Sequence, residues 1–302
     1  MSFVEIRGLQ KRFDGSAAVS GLDLKIERGD IYGFLGPNGA GKTTTIRMMI
    51  GLMKADKGTV KIDGIDVREK VEVRGNIGYL PERVSFYGNL SVLENLRFLC
   101  EMKGCSKVSI EELLSDFKLY DQRHKKYSEL SKGMAQRLGI AQTLIGDPDL
   151  LILDEPTAGL DPNIRRWVKE KILLLKERGK TIFLSSHVLS EVQELCNRVG
   201  ILSNGQMLAE DDVGTLGRKL SLKDRLELQV VSVERGLEVV KGMKGVERPR
   251  LEDGKLILYC SGDKKMDIIR ELIDEGMDIQ NFSVKEPDLE EVFVRLTSGE
   301  ER

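Results

Sequence analysis

The sequence predicts an α/β fold followed by a small α+β module, on three observations. An apolar run, Ile31-Tyr32-Gly33-Phe34-Leu35, leads into a glycine-rich turn and then a helix-like segment at 44–51. A second apolar run, Leu150-Leu151-Ile152-Leu153, delivers two carboxylates, Asp154 and Glu155, at its end. Beyond Gly217 the pattern changes to short elements in the order βαββαβ, the signature of a ferredoxin-like module.

In chain order, residues 2–82 open with strand-like alternation at Val19, Leu22, Leu24 and Ile26, followed by the glycine-rich turn and more strand-like segments. Residues 83–135 lose their β-branched runs and show helical spacing at Val92, Leu93, Leu96 and Leu99, then at Leu113, Leu114 and Phe117. Residues 136–217 resume with the Asp154 strand and a strand at 181–185. The first domain is therefore expected over 1–217, with a helical subdomain at about 83–135. The second, 218–302, reads as strand 226–231, helix 234–242, strands 246–251 and 255–260 joined by a tight Asp253-Gly254 turn, helix 264–274 and strand 279–284. A last helix at 288–296 begins after Pro287 and sets Leu289, Val292, Phe293 and Leu296 on one face.

A chain of 302 residues with 40% apolar content buries a substantial core and holds about two domains. No apolar run approaches a membrane span, and no secretory leader is expected, since Met1-Ser2-Phe3-Val4-Glu5 runs straight into a strand pattern. The four cysteines are scattered without paired spacing, which favours reduced cytosolic thiols over disulfides or a metal centre. A net charge of −2 weighs against a nucleic-acid partner.

Gly36-Pro37-Asn38-Gly39-Ala40-Gly41-Lys42-Thr43, with Thr44, is read as a phosphate cradle. Its glycines let the main chain approach closely, and the helix N-terminus turns backbone N–H groups toward one point. Lys42 supplies a cation for the β/γ-phosphates, and the Thr43 hydroxyl is placed to ligate Mg²⁺. Asp154 would hold the Mg²⁺ shell, while Glu155 would orient or deprotonate the attacking water. Asp161, before Pro162, is also a natural cap for a following helix.

Leu130-Ser131-Lys132-Gly133-Met134 resembles the Leu-Ser-Gly-Gly-Gln signature of ABC-type ATPases, and other motifs follow in that family's order. Phe13 looks like the aromatic that stacks on adenine, Ala158-Gly159-Leu160-Asp161 like the D-loop, and His187 like the switch histidine facing the γ-phosphate. The resemblance covers residues 2–217 and implies a P-loop NTPase fold: a RecA-like core, an antiparallel β lobe and a helical subdomain. It further implies that Ser131 and Gly133 serve a nucleotide bound by a second copy packed head to tail, in a homodimer enclosing two ATP molecules.

Two motifs depart from the family pattern. Glu82, in Tyr79-Leu80-Pro81-Glu82, stands where many members carry glutamine; its carboxylate still reaches Mg²⁺ or the attacking water. Lys132 and Met134 replace glycine and glutamine. These variants, with the Glu-Pro-Asp-Leu-Glu-Glu-Val-Phe tail, are similar to those of ABC-2 type exporter ATPases. The resemblance implies an ATPase powering export through a separate permease, peripheral on the cytoplasmic face of the membrane. The C-terminal module is then regulatory or dimer-stabilising, and Phe86 and Tyr87 with the helix after them form a dock for the permease. A soluble relative acting on nucleic acid or ribosomes would show tandem ATPase units or a long coiled coil between the motifs, and neither is present. A regulatory module without turnover would lack Glu155 or His187.

Overall fold

The computed structural model describes residues 2–105, 109–219, 223–285 and Phe293; the helix expected at 288–296 lies outside the described residues apart from that one position. Two compact units emerge, Met1–Asp212 and Val213–Arg302.

The first unit is built on two sheets. Strands β1 (Val4–Phe13), β2 (Ser16–Ile26), β4 (Lys57–Ile62) and β5 (Ile65–Asp66) form an antiparallel sheet in the order β2-β1-β4-β5. Their alternation buries Val4, Ile6, Leu22, Leu24, Ile26, Val60 and Ile62 on one face. The larger sheet has the order β10-β9-β3-β8-β7-β6, from β3 (Ile31–Leu35), β6 (Ile77–Leu80), β7 (Leu150–Asp154), β8 (Thr181–Ser186), β9 (Arg198–Ser203) and β10 (Gln206–Asp212). All its pairings are parallel except β9 with β10. Every residue of β3, β7 and β8 is buried, which explains the apolar runs 31–35, 150–153 and 182–184: a parallel strand covered on both faces has no solvent-facing side, and the polar residues Asp154, Ser185 and Ser186 come at the strand ends. Within this sheet Phe183 of β8 packs against β3, its ring 5.8 Å from that of Tyr32 and 5.2 Å from that of Phe34.

Helix α1 (Lys42–Met49) follows β3, and a short α2 (Glu72–Gly75) precedes β6. Helices α3 (Val92–Met102), α4 (Ile110–Asp116) and α5 (Lys132–Thr143) make the helical region, each capped by a serine: Ser91, Ser109 and Ser131. At α3 Glu94 completes a reciprocal capping box. Helix α6 (Pro162–Glu177) starts at Asp161, whose carboxylate accepts from the Ile164 N–H at 3.0 Å, and α7 (Leu189–Leu195) follows β8.

The second unit opens with α8 (Val213–Lys219) and continues β11 (Asp224–Val230), α9 (Val233–Gly242), β12 (Glu247–Glu252), β13 (Lys255–Cys260), α10 (Lys265–Asp274) and β14 (Ile279–Lys285). The antiparallel order β12-β13-β11-β14 interleaves two split βαβ crossovers, which is the ferredoxin-like topology. Leu226, Leu228, Leu256 and Leu258 bury one face of this sheet with Val240, Ile268 and Leu272 of the helices.

Candidate functional site

The carboxyl ends of four neighbouring strands, β3, β8, β7 and β6, converge in the first unit, and each carries a predicted residue just beyond it: the cradle, His187, Asp154 with Glu155, and Glu82. That edge is where open α/β sheets bind ligands, because the following loops and helix N-termini present free backbone donors there. A cavity of about 320 Å³ is lined by Pro37, Asn38, Gly39, Gly41, Lys42, Thr43, Thr44, Glu82, Glu155 and His187. Ala18 and Ala158 complete the lining.

The cradle turns at Gly41, whose φ of 105° is open to glycine alone, and whose Cβ would lie 2.3 Å from the Ala18 carbonyl oxygen. Gly36 and Ala40 shape the turn from within: Gly36 N–H donates to the Ser186 carbonyl at 3.3 Å, and Ala40 N–H donates to the Pro37 carbonyl at 3.2 Å. The Lys42 ammonium, on a 6% exposed side chain, donates to the Gly36 carbonyl at 2.6 Å and lies 3.3 Å from Glu155 Oε1. That second contact is an ion pair without hydrogen-bond alignment, so Oε1 is a buried oxygen with no donor.

Asp154, 1% exposed, receives Ser185 Oγ–H at 2.6 Å and Thr43 Oγ1–H at 3.1 Å. Burial nevertheless pushes its carboxyl pKa up, aided by nearby Glu82 and opposed by those hydroxyls and Lys42. Burial likewise pushes the neighbouring Tyr79 phenol up to about 12, with Asp154 adding to the rise. A buried carboxylate that its own hydroxyl donors leave short of charge compensation, beside a free Thr43 lone pair, suits a hard oxygen-seeking cation. Thr43, Asp154 and Glu82 are the residues that could hold Mg²⁺.

Glu155 sits in the left-handed region at φ 50°, held there by its N–H donating to Ser185 Oγ at 3.0 Å. Its Oε2 lies 2.8 Å from His187 Nδ1. A carboxylate only accepts, so Nδ1 carries the hydrogen and Nε2 faces away. Ser185 thus donates to one acid and accepts from the backbone of the next, tying Asp154 and Glu155 into one unit. Sequence reasoning placed Ser185 within its strand without assigning it a role; its position across from Asp154 is set by the register between β7 and β8, which no sequence motif announces.

Phe13, Ser131 and Gly133 neither line this cavity nor belong to the loops that shape it. Phe13 ends β1 with 45% of its surface exposed, and the Lys11 ammonium lies 5.6 Å from its ring. An aromatic left in solvent is free to stack on a ligand, unlike a core ring. Ser131 and Gly133 occupy the start of α5, where Ser131 Oγ accepts the Met134 N–H at 3.3 Å. They border no nucleotide site in their own chain's cavity.

Comparison with known proteins agrees with this architecture. The family described as "ABC transporter" matches residues 19–158, and the family described as "ATP-binding protein DrrA1-3-like, C-terminal domain" matches residues 217–297. The bacitracin transport ATP-binding protein BcrA of Bacillus licheniformis is 36% identical over 99% of this chain and 98% of its own length. The daunorubicin/doxorubicin resistance ATP-binding protein DrrA of Streptomyces peucetius is 34% identical over 97% and 92%. Among solved structures, an ATP-binding subunit of an ABC transporter superposes with a TM-score of 0.67 at 30% identity, covering 73% of this chain and 94% of its own. A dimeric ATP-binding cassette in a post-hydrolysis state with ADP and Pi gives 0.63 at 25% identity, covering 69% and 98%. The sequence motifs, the strand-end site and full-length relatives in both units converge: this chain belongs to the ABC transporter ATP-binding proteins of the BcrA and DrrA type, ATPases of the ABC-2 exporter class.

Proposed function

We propose that this ATPase works as a head-to-tail homodimer that closes on two Mg²⁺-ATP molecules and drives a separate permease, moving substrate outward. The observation that carries the reading is the meeting of Lys42, Thr43, Glu155 and His187 at one cavity, with Asp154 hydrogen-bonded to Thr43 and with Ser131 and Gly133 outside the lining. A site whose signature lies elsewhere on the same chain is completed by a second copy.

Phe13 stacks on the adenine, and the backbone N–H groups of 36–44 with Lys42 hold the phosphates. Lys42 exchanges the Gly36 carbonyl for phosphate oxygens, a trade that strengthens its bonds because the new acceptors are charged. Mg²⁺, when bound, supplies positive charge against the β- and γ-phosphate oxygens, and Thr43, Asp154 and Glu82 are its proposed holders. Glu155, through the buried Oε1 that no donor occupies, accepts a proton from the attacking water as its oxygen bonds the γ-phosphorus and the bond to the β-phosphate oxygen breaks. His187 holds Glu155 by Nδ1–H and turns the other side of its ring toward the γ-phosphate. Loss of those contacts after hydrolysis reopens the dimer.

Toward the permease, Tyr87 is 56% exposed and packs edge-on against Phe98, while Phe86 packs against Tyr127 at 5.2 Å. Asn95, buried, pins the loop by accepting from Tyr87 N–H at 3.0 Å and donating to its carbonyl at 3.1 Å. This rigid aromatic loop beside Glu82 is the proposed dock. No helix among the described residues is long and apolar enough to cross a membrane, so the chain would sit at the cytoplasmic face through that contact. Bacitracin transport and daunorubicin/doxorubicin resistance in the names of its relatives support export as the direction.

Complementation tests the assembly. Lys42→Ala and Ser131→Arg chains are each inactive alone; mixed, the heterodimers contain one site with an intact cradle and an intact signature. Random pairing then restores about a quarter of wild-type turnover. A mixture that pairs yet stays inactive would refute completion across the interface.

A further inference from the structure

We propose that Lys132 is a positioning residue for the hydrolytic turn of its own chain, although it sits in the segment that serves the partner's nucleotide. The inference rests on the head-to-tail reading for its functional consequence, and on this chain alone for its geometry. Lys132 Nζ donates to the Gly159 carbonyl at 2.7 Å. One turn further along α5, the buried Gln136 Nε2 donates to the Pro156 carbonyl at 2.6 Å. Residues i and i+4 of a helix share a face. That face of α5 therefore grips both ends of the turn 156–159 immediately after Glu155.

The turn needs gripping. Glu155 adopts φ 50° and Gly159 φ 64°, so two left-handed residues bracket three ordinary ones. A non-glycine residue in that region persists only where its surroundings over-determine it. From the other side, Arg165 Nη2 donates to the Leu160 carbonyl at 3.2 Å, and Thr157 Oγ1 donates to the buried Glu191 carboxylate. Gly133 lets α5 come close enough: a Cβ there would lie 2.9 Å from Ile164 Cγ1 at the start of α6. Lys132 is also placed against its own helix, since it is a cation in the first turn of α5 with no acidic residue beside it. The Gly159 carbonyl compensates that unfavourable position, and the result couples α5, whose N-terminus meets the partner's phosphate, to the chain's own Glu155.

Hydrogen exchange and steady-state kinetics on the full chain test this together. Lys132→Met keeps the stem and removes the donor; as an exposed side chain it leaves the unfolding midpoint in place. In dilute, nucleotide-free chains, amides in the peptide 156–161 exchange about fivefold faster in Lys132→Met, the consequence of one lost hydrogen bond, and Lys132→Arg restores protection. The kcat falls by a similar factor while the KM for ATP stays within about twofold, because the cradle is untouched. Unchanged exchange with a fallen kcat would overturn the proposal in favour of a direct role on the partner's phosphate. Faster exchange with an unchanged kcat would overturn it as well. Failure of the dimer reading shows separately, as absent complementation with the exchange effect intact.

Discussion

Replacing Asp154 by Asn should stabilise the fold while destroying its function. The wild-type carboxylate is 1% exposed, and its two hydroxyl donors, Ser185 and Thr43, do not offset the cost of burial, since its pKa lies above the ordinary 3.8. A neutral amide keeps the same shape. Its oxygen accepts from Ser185 at the present 2.6 Å, and its NH₂ donates to Thr43 Oγ1, so both contacts survive with the charge gone. Relieving a desolvated, incompletely paired charge of this kind is worth about 1 kcal/mol, or about 2–4 °C in the unfolding midpoint for a unit of this size. The sign with pH follows from the raised pKa. The stability that Asp154 contributes through protonation is fully present below 3.8 and is lost as pH rises through its folded pKa. The advantage of Asp154→Asn over wild type is therefore greatest near neutrality and closes as pH falls toward 3.8. Differential scanning calorimetry without nucleotide across that range, with ATP turnover measured in parallel, checks both halves; turnover should drop by at least about a hundredfold. A variant less stable than wild type at pH 7, or an advantage that does not change with pH, would refute the reasoning.

Two further substitutions probe the site. Gly41→Ala forces a Cβ into the Ala18 carbonyl at a φ that costs about 1–2 kcal/mol before the clash is counted, so equilibrium dialysis should find ATP binding lost; retained binding would mean that the cradle turns differently. Phe13→Ala removes an exposed ring that packs no core, so the unfolding midpoint should hold while the Kd for ATP rises about fivefold to tenfold by fluorescence titration. An unchanged Kd would remove Phe13 from the adenine site.

The fold was legible where one physical cause dominated. Burial on both faces of β3, β7 and β8 wrote the apolar runs 31–35, 150–153 and 182–184 into the sequence, and Asp161 announced a helix start by the cap chemistry it performs; Ser91, Ser109 and Ser131 cap helices in the same way without having been read as caps. The four strands of the C-terminal sheet were readable as short segments in the order βαββαβ, and the Asp253-Gly254 turn fixed one hairpin. The hairpin of β9 and β10 carries an equally plain signal, Asn204-Gly205 with both residues at positive φ, which lies beyond the last of the nucleotide motifs. Helix α2, only four residues long, has no period long enough to detect. Within the site, residue types and spacing identified the acids, the lysine and the histidine. They could not reveal that Ser185 joins Asp154 to Glu155, or that Lys132 reaches Gly159, because those contacts depend on which strands and helices become neighbours. Packing of elements in space, rather than order along the chain, makes them.

The central claim is that two copies of this chain enclose ATP between them. Glu155→Gln keeps the cradle, keeps a side-chain oxygen as acceptor for His187 once Nδ1–H donates, and removes the proton acceptor, so bound nucleotide should persist and hold the copies together. Analytical ultracentrifugation of that variant saturated with Mg²⁺-ATP should show a dimer that returns to monomer when nucleotide is removed. Monomers alone at every protein concentration, with nucleotide bound, would contradict the account.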